Sequence, residues 1–518
     1  MKQRLAWKDT IGILFFAAGI IMLGIAVYLC RGSDIWYDEL FTMGLADQSF
    51  GGLISVTARD VHPPLYYILV KLALMANEAA GGLVGPVTVA KLTSVLPFVL
   101  AMILSATEIR KQFGLLSAGL FSFLLVSMPQ MSDYIVEIRM YGYALFFVLW
   151  GMLCAYRIVK TPFARHRLAF LCLTICALAA CYTHYFACVA ACMIYVYLLA
   201  ELLRAEALRK KWIPFLVSGM ICAVGYLPWF LQAVIGQVGN VKESYWIQPV
   251  SWRTLGGCVK FIFQPAFANG RINAVLAVLG FVIYAGLLTG ILIKITVHKD
   301  RKKEYGFIVG CVGVLLGLIL FGMLASVFLR PVFVYRYMLP AMVVFWLAFA
   351  ILVGGLSKRK YLLIPLLVLI TVVGIRNFRS FCEEELWKLK QMARVEEAFL
   401  QISGEDVILF NFGQTQAVVS YYLDNDSYLW YEQPEKLILE MYPEIHSLVE
   451  GDFSDEKGIT QIKELIAKGK KVWFLGSGNA REEILAKWEK EGIVSEETDS
   501  VMLERYWFNI YAITSGED

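Results

Sequence analysis

The chain has 518 residues, 58% of them hydrophobic and 17% charged, with a formal net charge of +4 at pH 7 and a mean hydropathy of +0.62. Soluble domains are about half apolar and about a quarter charged, so a wholly soluble protein is excluded. The basic residues form no binding patch, so no nucleic-acid partner is expected. The eleven cysteines fall mostly in apolar blocks and include no CxxC pair, which argues against a disulfide framework.

In chain order, the apolar blocks predict membrane spans. A hydrocarbon core of ~30 Å takes about 20 helical residues. Spans are expected to begin at Thr10, Pro86, Gly114, Tyr141, Leu168, Tyr185, Ile213, Ala274, Phe307, Tyr337 and Tyr361, about eleven in all. The first follows Lys2, Arg4 and Lys8 with no small-residue cleavage site after it, so it reads as a retained helix and not a signal peptide. Residues 65–76 are apolar but too short to span, and they predict an interfacial amphipathic helix.

Alternate loops are basic: Arg110-Lys111; Arg157, Lys160, Arg165 and Arg167; Arg204, Arg209, Lys210 and Lys211; Lys299, Arg301, Lys302 and Lys303; Lys358-Arg359-Lys360. By the positive-inside rule these mark one cytoplasmic face together with the N-terminus. The loop of residues 31–85 is then extracytoplasmic, and an odd number of spans places the C-terminal part outside as well. The first outside loop holds Asp34, Asp38, Glu39, Asp60 and His62. The second holds Asp133, Tyr134, Glu137, Arg139 and Tyr141, and the third is Tyr182-Thr183-His184-Tyr185. The fourth holds Lys242, Glu243, Tyr245, Trp246 and Gln248, and the fifth Arg330, Tyr335, Arg336 and Tyr337.

Beyond residue 375 the composition becomes that of a soluble domain. Strands are expected at 406–410, 427–431, 471–475 and 506–514, and helices at 415–423, 459–467 and 481–491, giving a small α/β domain. Gly476-Ser477-Gly478 is too short for a dinucleotide fingerprint.

Four groups of residues suit chemistry at the outer face. Asp38-Glu39 reads either as a solvated acidic pair or as a base and substrate ligand. The flanking Trp36, Tyr37, Leu40 and Phe41 favour the second, because a carboxylate near a low-dielectric surface has a raised affinity for protons. His62-Pro63-Pro64 is an extended turn that permits a helix start. Its histidine reads as a cap or as a substrate contact, with a divalent metal shared with Asp38 or Glu39 the weaker reading, since the spacing is not diagnostic. Arg139 with Tyr141, and Arg336 with Tyr335 and Tyr337, suit a phosphate, whose oxygens match the guanidinium fork; for Arg139 an internal pair with Glu137 or Asp133 is the plainer reading. Lys91 either snorkels or serves as a further cation. His184 reads as a helix-end residue or a substrate contact.

Trp36-Tyr37-Asp38-Glu39, His62-Pro63-Pro64-Leu65-Tyr66-Tyr67, Glu137-Ile138-Arg139-Met140-Tyr141, Tyr182-Thr183-His184-Tyr185-Phe186, Tyr226-Leu227-Pro228-Trp229 and Tyr335-Arg336-Tyr337 follow one another in an order that resembles the bacterial GT-C glycosyltransferases. These are the proteins similar to dolichyl-phosphate-mannose–protein mannosyltransferases and to the aminoarabinose transferases of lipid A. The likeness covers the membrane part, up to about residue 375. It implies a polytopic GT-C domain over 1–375 with its active site in loop 31–85, followed by an extracytoplasmic α/β domain over 376–518. It implies transfer of a sugar from a polyprenyl-phosphate donor to an acceptor hydroxyl on a lipid, glycan or protein. Asp38 would be the base and Glu39 would orient acceptor or sugar. Arg139, Tyr141, Arg336 and Tyr335 would bind the donor phosphate, and His62, Tyr66, Asp60 and His184 the substrate. One displacement with one base inverts the anomeric centre. Two rival classes remain: a transporter or flippase of a lipid-linked glycan, which calls for polar groups at mid-membrane and paired broken helices, and a receptor that senses through the C-terminal domain.

Overall fold

The computed structural model describes residues 6–32, 34–162, 166–240, 247–300, 302–423, 425–429, 436–442 and 456–516. Lys242, Glu243, Tyr245 and Trp246 of the fourth loop lie outside the described residues, as do Lys2, Arg4, Arg165, Arg301 and the end of the predicted strand at Tyr431. By its contacts the chain divides into two compact units. The first is Met1–Tyr28, Thr57–Ala73 and Lys91–Cys382; the second is Leu29–Val56, Leu74–Ala90 and Glu383–Asp518.

The first unit is helical, and the protein is polytopic. Among the described residues nine helices are long and apolar enough to cross a membrane: Trp7–Gly32, Pro86–Phe113, Tyr141–Lys160, Tyr185–Arg204, Leu208–Gln237, Gly270–Thr296, Lys303–Phe328, Tyr335–Lys358 and Lys360–Phe399. The other two predicted spans form shorter apolar helices, Leu115–Ser127 and Arg167–Thr183. At 1.5 Å per residue the former is about 20 Å long, less than the hydrocarbon core. The reason is its surroundings: every residue from Leu116 to Ser127 is buried, so this helix has no lipid thickness to match. Its partner in part is Trp7–Leu29, and glycines make the contact. A Cβ on Gly12 would stand 2.6 Å from the carbonyl oxygen of Leu115, and one on Gly19 2.7 Å from that of Ser122. Lipid supplies no hydrophobic drive between helices, so such close backbone packing supplies the attraction. Helix Leu339–Gly354 is buried along its length. Residues 128–140 are non-helical and mostly buried; irregular backbone among membrane helices persists where protein encloses it.

The apolar stretch 65–76 forms part of helix Leu65–Ala79, with Tyr66, Tyr67 and Val70 buried and Leu72 and Met75 exposed.

The second unit is built on a sheet of β1 (Val407–Phe410), β2 (Asp426–Leu429), β3 (Val472–Gly476), β4 (Ile493–Leu503) and β5 (Tyr506–Ser515), in the order β2-β1-β3-β5-β4. The first three strands are parallel, and β5 runs antiparallel to both β3 and β4. β1 and β3 are buried at every position, as parallel strands covered on both faces must be. Val407, Leu409, Phe474, Ile462, Ile484 and Trp488 share one core, where the Phe474 and Trp488 rings lie 5.0 Å apart. Strand β4 departs from the sequence expectation. Its Glu496-Glu497-Thr498-Asp499 run lacks strand-like alternation, yet as the sheet edge it tolerates charge, which discourages pairing with other chains. The last turns of Lys360–Phe399 belong to this unit. There Lys388 reaches Glu385 at 3.0 Å and Glu384 and Glu504 at 3.6 Å.

Candidate functional site

His184 separates two apolar helices, Arg167–Thr183 and Tyr185–Arg204, and its backbone is extended. It is the N-cap of the second helix: its Nδ1 accepts the backbone N–H of Phe186 at 3.1 Å. A neutral imidazole that accepts at Nδ1 carries its proton on Nε2. That Nε2 is buried and has no hydrogen-bond partner among the described residues. The His184 ring lies 5.6 Å from His62, 5.5 Å from Tyr141 and 5.0 Å from Tyr337. The Tyr141 hydroxyl is likewise buried with no hydrogen-bond partner among the described residues, and its ring stands edge-on to Tyr134 at 5.1 Å. Two donors, one imidazole N–H and one phenol O–H, thus sit buried in one cluster.

The electrostatics of the cluster are set by burial and by two guanidinium groups. Burial first, then Arg139, His184 and Arg336, hold His62 well below the usual histidine range. Burial, then Arg139 and Arg336, push His184 down to about 3. Both imidazoles are therefore neutral at pH 7, and Arg139 and Arg336 carry the positive charge. Arg139 is buried and Arg336 half-buried. A cavity of about 220 Å³ lies alongside, lined by His62, His184, Tyr337 and Arg330 and by apolar walls that include Phe186, Phe321 and Leu329.

The remaining expected residues of the first unit divide. Asp60 lies near Tyr185. Its segment is tied down by Gln237, whose Nε2 donates to the carbonyls of Thr57 and Ala58 at 3.0 and 3.2 Å and whose Oε1 accepts from the Tyr185 hydroxyl. Tyr66 turns into the packed interior, where its hydroxyl bonds Ser94 at 2.6 Å and its ring lies beside Tyr67 and Tyr143. Tyr335 faces helix Trp252–Phe263: its ring is 6.2 Å from Phe261, and its hydroxyl fills the space that a Cβ on Gly257 would need. The structure therefore brings together His62, His184, Tyr141, Arg139 and Arg336, with Asp60 nearby through Tyr185, and leaves Tyr66 and Tyr335 outside.

In the second unit, Asp38 and Glu39 open helix Tyr37–Asp47. Glu39 is 3% exposed, and its Oε2 accepts the backbone N–H of Trp36 at 3.1 Å. One carboxylate oxygen thus closes the start of the helix. Asp38 is half-buried in the first turn, and its carbonyl accepts from the Thr42 hydroxyl at 3.2 Å. Among the described residues no group of three or more His, Cys, Asp or Glu side chains comes together that could hold a metal ion.

No family model matches the sequence, and no curated protein matches it. Solved structures do. ArnT from Cupriavidus metallidurans in the apo state superposes with a TM-score of 0.62 at 12% identity, covering 97% of this chain and 98% of that one. The same protein bound to undecaprenyl phosphate gives 0.58 at 12% identity, covering 97% of each chain. The chain has the GT-C fold.

Within this GT-C fold, Phe186 and Arg330 received no role from the sequence alone, and Tyr337 was named only as a companion of Arg336. Tyr337 stands 4.9 Å from Phe186 as well as beside His184. The signal for it was present in Tyr335-Arg336-Tyr337. This segment is a tight 3-10 turn, Tyr335–Met338, in which successive side chains point about a third of a turn apart. The tyrosine before and the tyrosine after the arginine therefore face different neighbours.

Proposed function

We propose that the protein is a glycosyltransferase that moves a sugar from a polyprenyl-phosphate donor to an acceptor hydroxyl at the extracytoplasmic membrane face, inverting the anomeric carbon. The observation that carries this reading is the buried pair of donors, His184 Nε2 and Tyr141 hydroxyl, in a cluster charged by Arg139 and Arg336. A lipid phosphate needs such groups. As the C1–O bond to phosphate breaks, the electron pair stays on the phosphate oxygen, and preorganised donors and cations stabilise it. The apolar walls of the adjoining cavity suit an isoprenoid chain. The similar ArnT is known bound to undecaprenyl phosphate, a ligand of this chemistry.

Asp38 is the proposed base. The acceptor hydroxyl loses its proton to this carboxylate as its oxygen attacks C1. Glu39 is proposed to steady the base, because one of its oxygens is engaged at Trp36. His62 and Asp60 are proposed to contact the sugar. Tyr66 and Tyr335, which pack elsewhere, are assigned no contact.

The test is release of label from radiolabelled undecaprenyl-phosphate sugars in membranes carrying wild type or Asp38→Asn. Transfer by wild type and its loss by at least about a hundredfold in Asp38→Asn is the expected result for a general base. Wild-type rates in the variant would remove Asp38 from the chemistry. Arg336→Ala is expected to weaken donor binding by about tenfold or more, the value of a charge-assisted contact of 1.5–3 kcal/mol. Equal affinity in a binding assay with undecaprenyl phosphate would sink the phosphate assignment. Donor movement between leaflets without sugar release would instead favour the flippase.

A further inference from the structure

The stretch bearing Asp38 is gripped along its length by residues of the C-terminal α/β domain, within the same compact unit. The Arg505 guanidinium carbon lies 3.7 Å from the centre of the Trp36 ring. The Tyr506 hydroxyl is bonded to the Tyr37 backbone and donates to Gln414 Oε1 at 3.0 Å. The Ile35 N–H donates to the Tyr422 hydroxyl at 3.3 Å, and the Tyr442 hydroxyl donates to the Leu40 carbonyl at 3.0 Å. The Tyr442 ring also seats Gly44, where a Cβ would stand 2.8 Å from it.

Gln414 lies in the helix that follows β1. Tyr506 begins β5, whose Asn509 pairs with Gly476 at the end of β3. Both therefore stand at the carboxyl edge of the parallel pair β1 and β3, whose outgoing connections lead to opposite sides of the sheet order. In open α/β sheets that edge is the ligand-binding crevice. Here Trp36-Tyr37 of the same chain meets it. Burial, with Asp38 and Glu39 adding, raises the Tyr506 hydroxyl above the usual tyrosine range, the Tyr37 backbone working the other way. The phenol is therefore a stable neutral hydrogen-bonding group next to the acidic turn.

We infer that the C-terminal α/β domain is a positioning platform for the acidic helix, in which Arg505 and Tyr506 hold Trp36-Tyr37 and so fix the direction of the Asp38 carboxylate. This rests on the proposed function, with Asp38 as base. Arg505 and Tyr506 are positioning residues: they act through Trp36 and Tyr37.

The experiment uses the full chain in lipid nanodiscs, with Tyr506→Phe, Arg505→Gln and Arg505→Lys. Hydrogen exchange of amides 37–47 reads the grip, and radiolabelled undecaprenyl-phosphate sugars read turnover. In Tyr506→Phe and Arg505→Gln, amides 37–40 are expected to exchange faster while those of β1 and β3 keep their wild-type protection. The kcat is expected to fall by up to about a hundredfold, the usual cost of a misplaced catalytic group, at unchanged donor KM. Arg505→Lys is expected to recover only part of the loss, because an ammonium lacks the planar face that stacks on indole. Unchanged exchange at 37–40, or faster exchange with wild-type kcat, overturns the inference. If Arg505→Gln loosens the whole sheet, Tyr506→Phe, which removes one hydroxyl, decides. A wild type that consumes no donor refutes the proposed function, and the exchange data still decide whether Arg505 and Tyr506 hold the helix.

Discussion

His184 uses its two ring nitrogens for different purposes. Nδ1 caps a helix, and Nε2–H is buried with no hydrogen-bond partner among the described residues, where the proposed donor phosphate would meet it. This has a measurable consequence in acid. The folded chain holds His184 down to about 3 and His62 well below 6.5, whereas unfolded histidines titrate near 6.5. Below pH 6.5 the unfolded chain thus binds more protons than the folded one, and stability falls as pH falls. For His184 the loss continues to about pH 3, because proton binding to the unfolded chain is linked to unfolding over that range. His184→Asn keeps a capping acceptor and removes the titration. Thermal unfolding in detergent between pH 6.5 and 5 is expected to show a shallower pH slope in this variant. An identical slope would mean that His184 already titrates normally in the fold. Much of this cluster is legible in the sequence: Arg139, Tyr141, His184 and Arg336 are polar residues at the ends of apolar blocks, where burying them demands a reason. What is not legible is direction. Nothing local decides that Tyr337 meets His184 while Tyr335 meets Gly257, or that Tyr66 is taken up by Ser94.

At the scale of elements, hydropathy located a helix at each expected span, because long apolar runs have few alternatives in a bilayer. It overstated the length of 115–127, since hydropathy does not distinguish lipid from protein as surroundings. It missed β4, where pairing with β5 and not local composition makes the strand. The glycines of Trp7–Leu29 and Leu115–Ser127 yield a sharp test. A Cβ on Gly119 would run into the carbonyl of Gly12, while Gly24 has nothing within 4 Å. Gly119→Ala is expected to cost about 1–3 kcal/mol, as overpacking does, and to lower the midpoint of thermal unfolding. Gly24→Ala is expected to be neutral or slightly stabilising, since alanine is the better helix former. Equal midpoints for the two variants would mean that the helices separate without penalty.

At the scale of the whole molecule, the alternation of basic loops predicts that helix Tyr37–Asp47 and the sheet domain are both extracytoplasmic. Cysteines placed at Asp47 and at Glu489, both exposed, are expected to react with an impermeant thiol reagent in intact cells, in a background cleared of reactive native cysteines. Labelling of both only after lysis would reverse the orientation. The sequence announces where the membrane part ends, but not that residues 29–56 fold with residues 383–518. Hydrophobic periodicity is a local signal, and packing across most of the chain leaves no local trace. This interleaving governs how the protein is made. The ribosome delivers the acidic helix early and its seat only after the intervening spans have entered the bilayer. A chain stopped short of Arg505 and Tyr506 would retain every span, yet its acidic helix would lack the hairpin contacts at Trp36 and Tyr37. Stop codons between the last span and Arg505 are thus expected to abolish the proposed transfer without preventing insertion, which also delays competence until the sheet has been made.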